Sequence, residues 1–210
     1  MASLTLILTE DAAFRCGLVV GDAHAALRSF RPAQSHPGWN MAGMRDRLPF
    51  LLRMVRNNGG DVGFYESLVV DVMAAMERVD GMALPRGDLH GDVHIDNAMI
   101  EADGTLVLLD FDNCGEDILI KELVNFVWRN RYLGHPEAIN AAFIAGYDSR
   151  RPLAAPEREQ LPLLIVARDL FIFSAYARNV QRDGFIGAMA HSYERHDALT
   201  RAHAREAGLI

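Results

Sequence analysis

Leu89-His90-Gly91-Asp92-Val93-His94-Ile95-Asp96-Asn97, followed by the apolar run that ends in Leu109-Asp110-Phe111-Asp112, carries the decisive pattern of this chain. Asn97 stands five residues after Asp92, and Asp110 thirteen after Asn97. Between them lie two short apolar segments, Ala98 to Glu101 and Thr105 to Leu109, joined by Ala102-Asp103-Gly104. An Asp-Gly pair between apolar segments is a hairpin signal, so these read as two paired strands. Pairing brings the outer ends of the strands together. Asn97 and Asp110 therefore hang at the open end of one hairpin, within reach of a single metal ion.

These residue types suit phosphoryl transfer. Such transfer needs little covalent help, so a protein mainly positions the acceptor hydroxyl and holds magnesium against the phosphates. Asp92, a loop carboxylate, fits the group that accepts the hydroxyl's hydrogen bond and takes its proton. Asn97 and Asp110 fit the metal, because magnesium prefers a few oxygen ligands shared with phosphate and water. The triple spacing matches the order of base, metal-binding Asn and metal-binding Asp in the kinase template.

The segment resembles the aminoglycoside phosphotransferase and choline kinase superfamily, whose catalytic stretch reads His-Gly-Asp, then Asn, with a later Ile-Asp-Phe-Asp-like strand end. This chain carries His90-Gly91-Asp92, Asn97 and Leu109-Asp110-Phe111-Asp112. Beyond it, Gly115 and Glu116-Asp117-Ile118-Leu119-Ile120-Lys121-Glu122-Leu123 are similar to the family's glycine, loop and acid-Leu entry to a helix, with Glu122 where Asp is commoner. Leu18 to Leu27, with Ala23-His24, is similar to the helix that opens the larger lobe. The likeness spans most of residues 9 to 150 and is sharp between 88 and 123. It implies an α+β, mostly α-helical fold: a protein-kinase-like C-lobe with a short β-hairpin carrying the catalytic and metal loops. It also implies ATP or GTP with Mg2+ as cofactors, a small-molecule hydroxyl acceptor, and residues 88–123 as the catalytic and metal-binding core.

Full-length relatives carry an N-terminal lobe of strands with a phosphate-covering loop and a lysine. Here about eight residues precede the first helical pattern, and no lysine occurs before Lys121. The chain reads as a single C-lobe domain, 1–210, with residues 1–8 as a remnant of the interlobe linker. A truncated gene, a late start codon, a split protein and a reduced family member all agree with this. A separate N-lobe or a homo-oligomer would then be a partner.

With 210 residues, the chain is expected to bury roughly 70% of its extended surface. Half of it is apolar and its net charge is −7, which disfavours a nucleic-acid partner. Cys16 and Cys114 are few and far apart, which suits the reducing cytoplasm. Ser3 to Leu8 is too short for a signal core or a membrane span.

Helical patterns run over Thr9 to Phe30 (Thr9 as cap; Cys16, Val19, Val20, Ala23, Leu27 and Phe30 on one face, weakened by Gly17 and Gly21), from Pro49 (Leu51, Leu52 and Val55 inward) and over Phe64 to Val79 (through Leu68, Val69, Val72, Met76 and Val79). Others cover Leu119 to Tyr132, Glu137 to Tyr147, Glu157 to Arg182 and Phe185 to Ala207, the last stopping at Gly208. Arg31 to Trp39 reads as loop.

His90 reads as holding the loop rather than as a base, and Glu122 as steadying it. Asp112 either supports the metal shell or caps the next segment. His94 either lines the acceptor side or faces solvent, as Asp96 does. Trp128, Phe171, Phe173 and Tyr176 read as core rather than a stacking platform, and His191, Tyr193 and His196 as surface positions, the alternative being that they reach a substrate cleft. Three rival readings remain. Gly87-Asp88-Leu89-His90-Gly91 resembles the opening of calcineurin-like metallophosphoesterases, but their later motifs are missing. A zinc site from His90, His94 and Asp110 would want a helix where Gly91 disfavours one. A degenerate, non-catalytic binding module is the third.

Overall fold

The structure, a computed structural model, describes residues 8–27, 39, 41–101, 105–184 and 192–210. The turn expected at Ala102-Asp103-Gly104, most of the loop expected over 31–39, the apolar run 3–7, Phe30 and His191 lie outside them. The described elements run α1 (Glu10–Ala26), α2 (Met44–Asn57), α3 (Val62–Asp80), β1 (Arg86–Leu89), β2 (Ala98–Ile100), β3 (Leu106–Leu108), β4 (Gly115–Ile118), α4 (Lys121–Leu133), α5 (Glu137–Arg150), α6 (Ala155–Asp183) and α7 (Tyr193–Glu206). The fold is mostly helical with small antiparallel strand pairs. It forms two compact units, Met1–Trp39 with Leu84–Glu159, and Asn40–Ala83 with Gln160–Ile210.

In the first unit, Thr9 caps α1 by accepting a hydrogen bond from Ala12 N at 3.1 Å. The buried face of α1 differs from the expected one. Cys16 and Val20 are buried, but Val19, Ala23 and Leu27 are only half-buried, and Ala13, Gly17, Gly21 and His24 complete the inner line. The reason is close helix packing. A Cβ on Gly17 would stand 2.1 Å from Phe143 O of α5, and one on Gly146 of α5 would stand 2.0 Å from Phe14 O. Glycines that weaken an isolated helix here let two backbones touch. α4 is buried from Lys121 through Trp128, and its Phe126 stacks on Phe143 at 3.9 Å.

Two strand pairs position the loops of this unit. β2 and β3 form the expected hairpin, with Ala98 opposite Leu108. β1 pairs with β4, Leu89 opposite Gly115. The sequence reading made Gly115 to Ile118 a glycine and loop. Gly-Glu-Asp-Ile has poor strand propensity, and only pairing with a distant segment makes it a strand.

In the second unit, α2 begins at Met44 rather than at Pro49, which lies inside the helix. Proline there forfeits its own amide bond and crowds the carbonyl of Arg45, yet Leu51, Met54 and Val55 are buried regardless. α3 is capped by Asp61, whose Oδ1 accepts from Phe64 N at 3.0 Å, and buries Leu68, Val69, Val72, Met76 and Val79 as expected. Trp128 in the first unit and Phe173 here are core, whereas Phe171 and Tyr176 are half-buried. His196, expected at the surface, is fully buried and stacks on Phe173 at 4.7 Å. An aromatic neighbour brought by tertiary packing moves it inward. α6 is long and apolar enough to cross a membrane by length and composition. Core helices pass the same test, and α6 buries Asp169 against His203 at 2.5 Å.

Candidate active site

The loop after β1 is held from three directions. Glu122, fully buried on α4, accepts hydrogen bonds from His90 N at 2.6 Å (Oε2) and Gly91 N at 3.0 Å (Oε1). Asn125 Nδ2 donates to Gly91 O at 2.6 Å. Arg129 pairs with Asp96 further along the loop. These three helix residues sit at i, i+3 and i+7 and so share a face. Asn125 and Arg129 escaped the sequence reading, although their spacing from Glu122 was a usable signal.

Gly91 has φ of +82°, and a Cβ there would lie 2.0 Å from Asn113 O. The glycine of His-Gly-Asp therefore serves both the backbone turn and the approach of the segment after Asp110.

His90 ties the two loops together. Asp92 N donates to His90 Nδ1 at 3.3 Å, and His90 Nε2 lies 2.8 Å from Leu109 O. With Nδ1 accepting, Nε2 is the nitrogen that faces the Leu109 carbonyl as donor. Both nitrogens are engaged, and the ring packs on Phe111 at 4.3 Å.

Asn97 Nδ2 donates to Asp92 O at 3.0 Å, which leaves Oδ1 as the oxygen open to a cation. Leu109 N donates to Asn97 O at 2.8 Å, extending the hairpin ladder to the residue before Asp110. Asn97 is thus tied to Asp92 through its side chain and to Leu109, the neighbour of Asp110, through its carbonyl. Asp110 has φ of +65°, the one described non-glycine residue in the left-handed region, and is exposed. Asp tolerates that conformation at a modest energetic cost. Asp112 is exposed on the short 3-10 turn Phe111–Asn113.

His94 is half-buried between two carboxylates, its Nε2 3.7 Å from Asp92 Oδ2 and its Nδ1 3.7 Å from Asp96 Oδ2. Behind the loop, buried His24 of α1 places Nε2 3.5 Å from Glu122 Oε2 and Nδ1 2.8 Å from Tyr147 Oη. Burial, and next the charge of Glu122, push the Cys16 thiol up to about 12. The chain's single lysine, Lys121, is buried and donates to Asp117 at 2.6 Å and to Trp39 O at 3.4 Å.

The oxygen set of Asn97 and Asp110 fits a hard cation that shares its shell with phosphate and water. Among the described residues no group of three His, Cys, Asp or Glu side chains could hold a metal. With both nitrogens of His90 used, a zinc centre there lacks its ligands.

The model of the APH phosphotransferase enzyme family matches residues 6–161, and the chain belongs to that family. A homoserine kinase from Hyphomonas neptunium is 31% identical over 138 residues, 58% of this chain and 42% of the relative. The chain spans about half the length of the curated relatives it matches. The choline kinase LicA from Streptococcus pneumoniae superposes with a TM-score of 0.69 at 12% identity, covering 100% of this chain and 68% of that one. The amicoumacin kinase hAmiN, solved in complex with AMP-PNP, Ca2+ and Ami, superposes with a TM-score of 0.64 at 13% identity, covering 95% of this chain and 59% of that one. These likenesses show a kinase-like fold.

Proposed function

We propose that this chain carries the catalytic part of an ATP-dependent small-molecule kinase, with Asp92 as base and Asn97 and Asp110 as the residues that hold Mg2+. The observation that carries the reading is the main-chain arrangement of Asn97, bonded to Asp92 through its side chain and to Leu109 through its carbonyl. Bound Mg2+ would neutralise charge on the transferring phosphate and orient it. Asp92 accepts the hydrogen bond of the acceptor hydroxyl and takes its proton as that oxygen bonds to the γ-phosphorus and ADP leaves. His90 does not move a proton. It keeps the base loop in register with the Asp110 loop.

The acceptor is a hydroxyl-bearing small metabolite. The choice among homoserine-like, choline-like and aminoglycoside-like compounds rests on relatives of low identity, and GTP is an alternative donor. A separate N-lobe or a second copy would cover the nucleotide, and the cytoplasm is the expected compartment.

Calorimetry of the 210-residue chain with MgCl2, with and without ATP, tests the reading. Weak magnesium binding that tightens with ATP and falls in Asp110→Asn supports it. Tight zinc binding that depends on Asp88, His90 and His94 would favour the phosphoesterase reading instead. Nucleotide binding with no transfer to any hydroxyl acceptor, even with an N-lobe supplied, would favour a non-catalytic binding module.

A further inference from the structure

The second unit holds a concentration of arginine that phosphoryl transfer in the first unit does not use. Arg47 of α2 is nine-tenths buried, with its guanidinium 4.3 Å above the ring of Phe171 on α6. Arg168 lies over the same ring at 5.5 Å and is equally buried. Arg178 is close enough for its charge to disfavour that of Arg47. Burial first, and then Arg178, pull the Arg47 guanidinium below its ordinary value, and only Asp46 opposes them.

The donors matter more than the charge. Arg47 Nε donates to Gly43 O at 3.2 Å, and among the described residues its two terminal nitrogens donate to nothing. Arg178 uses Nε and Nη2 on a single oxygen, Asn179 Oδ1, at 3.3 and 3.2 Å, and among the described residues its Nη1 donates to nothing. Neither arginine makes an ion pair among the described residues. Of the residues outside that set, Asp103 alone has a carboxylate side chain. A guanidinium stacked on a ring spends its face on the ring and keeps its in-plane edge for acceptors. Two like charges with open donors, part-buried together, repel each other, and an anion that joins them relieves that repulsion.

We infer that Arg47 and Arg178, with Arg168 beside Phe171, form a binding site for a small oxyanion, a carboxylate or a phosphate group. The two terminal nitrogens of Arg47 match two oxygens of either group, and Arg178 supplies a third donor. The phenyl ring gives an apolar wall for whatever carbon bears the anion. The site does not depend on phosphate transfer, because Arg47, Arg168, Phe171 and Arg178 all belong to the second unit and Asp92, Asn97 and Asp110 to the first.

The test uses the full 210-residue chain labelled with 15N-arginine, without magnesium or nucleotide. Sodium phosphate, sodium acetate and sodium chloride are titrated separately at constant ionic strength, and the Nε–Hε resonances of Arg47 and Arg178 are followed. Saturable shifts with phosphate or acetate, and none with chloride, are expected. The stronger of the two identifies the anion source. Arg47→Gln and Arg178→Gln should each weaken binding roughly tenfold or more, the scale of one charge-assisted bond. Asp110→Asn should leave it unchanged. Should Arg47→Gln fail to fold, Arg178→Gln carries the test alone. Equal shifts with chloride, unaltered affinity in the arginine variants, or loss of binding in Asp110→Asn would overturn the inference.

Discussion

Glu122 holds His90 by its main chain: a carboxylate with no exposure, 32 positions along the chain, accepts the His90 amide at 2.6 Å and the next amide at 3.0 Å. A buried carboxylate is tolerated where it is hydrogen-bonded on both oxygens. The bond makes the geometry of the catalytic loop a property of α4.

Replacing Glu122 by Gln keeps the volume but turns one acceptor into a donor that faces an amide. We expect a loss of about 1–3 kcal/mol of stability from the unsatisfied amide, read by urea unfolding. Unchanged stability would mean that the loop does not depend on Glu122. Glu122→Asp keeps the charge with a shorter reach and should fall between the two.

Gly91→Ala meets two obstacles, a φ of +82° and an oxygen 2.0 Å from the new Cβ. A destabilisation of about 2 kcal/mol or more is expected, with displacement of the turn that carries Asp112 and Asn113. Gly59→Ala is the control, since nothing lies within 4 Å of its Cβ while its φ of +71° is similar. Equal effects at both positions would remove the role given to Asn113.

Asp92→Asn preserves shape and removes the proton acceptor, so any transfer activity should fall by about 10²–10⁴-fold while the melting temperature stays close to that of the parent. Full turnover where chemistry limits the rate would sink Asp92 as base.

The 210-residue chain by itself should bind ATP weakly and transfer phosphate slowly, because its one lysine is committed to Asp117 and the site brings little positive charge to the phosphates. Preorganised donors in a poorly hydrated cleft supply much of the stabilisation in such reactions. Adding a separately made N-lobe should restore binding. Micromolar affinity and steady turnover without one would contradict this.

Cys16 gives a pH test. Its thiol, ordinarily near 9.0, is pushed up to about 12 in the fold. The unfolded chain therefore releases the proton first, and the Cys16 contribution, whole below pH 9, is lost as pH rises toward 12. The slope approaches about 1.4 kcal/mol per pH unit inside that window. Unfolding of Cys16→Ala should lack this component. An identical pH slope in both proteins would show that Cys16 titrates as an ordinary exposed thiol. Exposed Cys114 should react with a thiol reagent in the native state and buried Cys16 only after unfolding.

Much was legible from local pattern. Thr9 as a cap, the inner face of α3, the β2–β3 hairpin and the stop at Gly208 follow from short-range spacing and turn chemistry, which a linear sequence contains. The placing of Asn97 and Asp110 was legible for a related reason: a hairpin converts a sequence interval into a spatial one, so the residues that flank its strands lie at one end.

What the sequence could not contain is which distant surfaces meet. Gly17 and Gly21 look like helix weaknesses until α5 arrives within van der Waals contact. Gly115 to Ile118 becomes a strand only when Arg86–Leu89 supplies its ladder. His196 looks like a surface residue until Phe173 covers it, and Asn125 looks incidental until its amide reaches Gly91. The sequence by itself determined the mostly helical class and the hairpin, because those rest on local periodicity and turn chemistry, and it carried the family resemblance in residue types at fixed positions. Tertiary structure alone decided the buried face of α1, the role of His90 as a bridge between two loops, and the grip of Glu122 and Asn125 on the loop, because each depends on hydrogen bonds and contacts between segments whose separation in the chain carries no information about their distance in space.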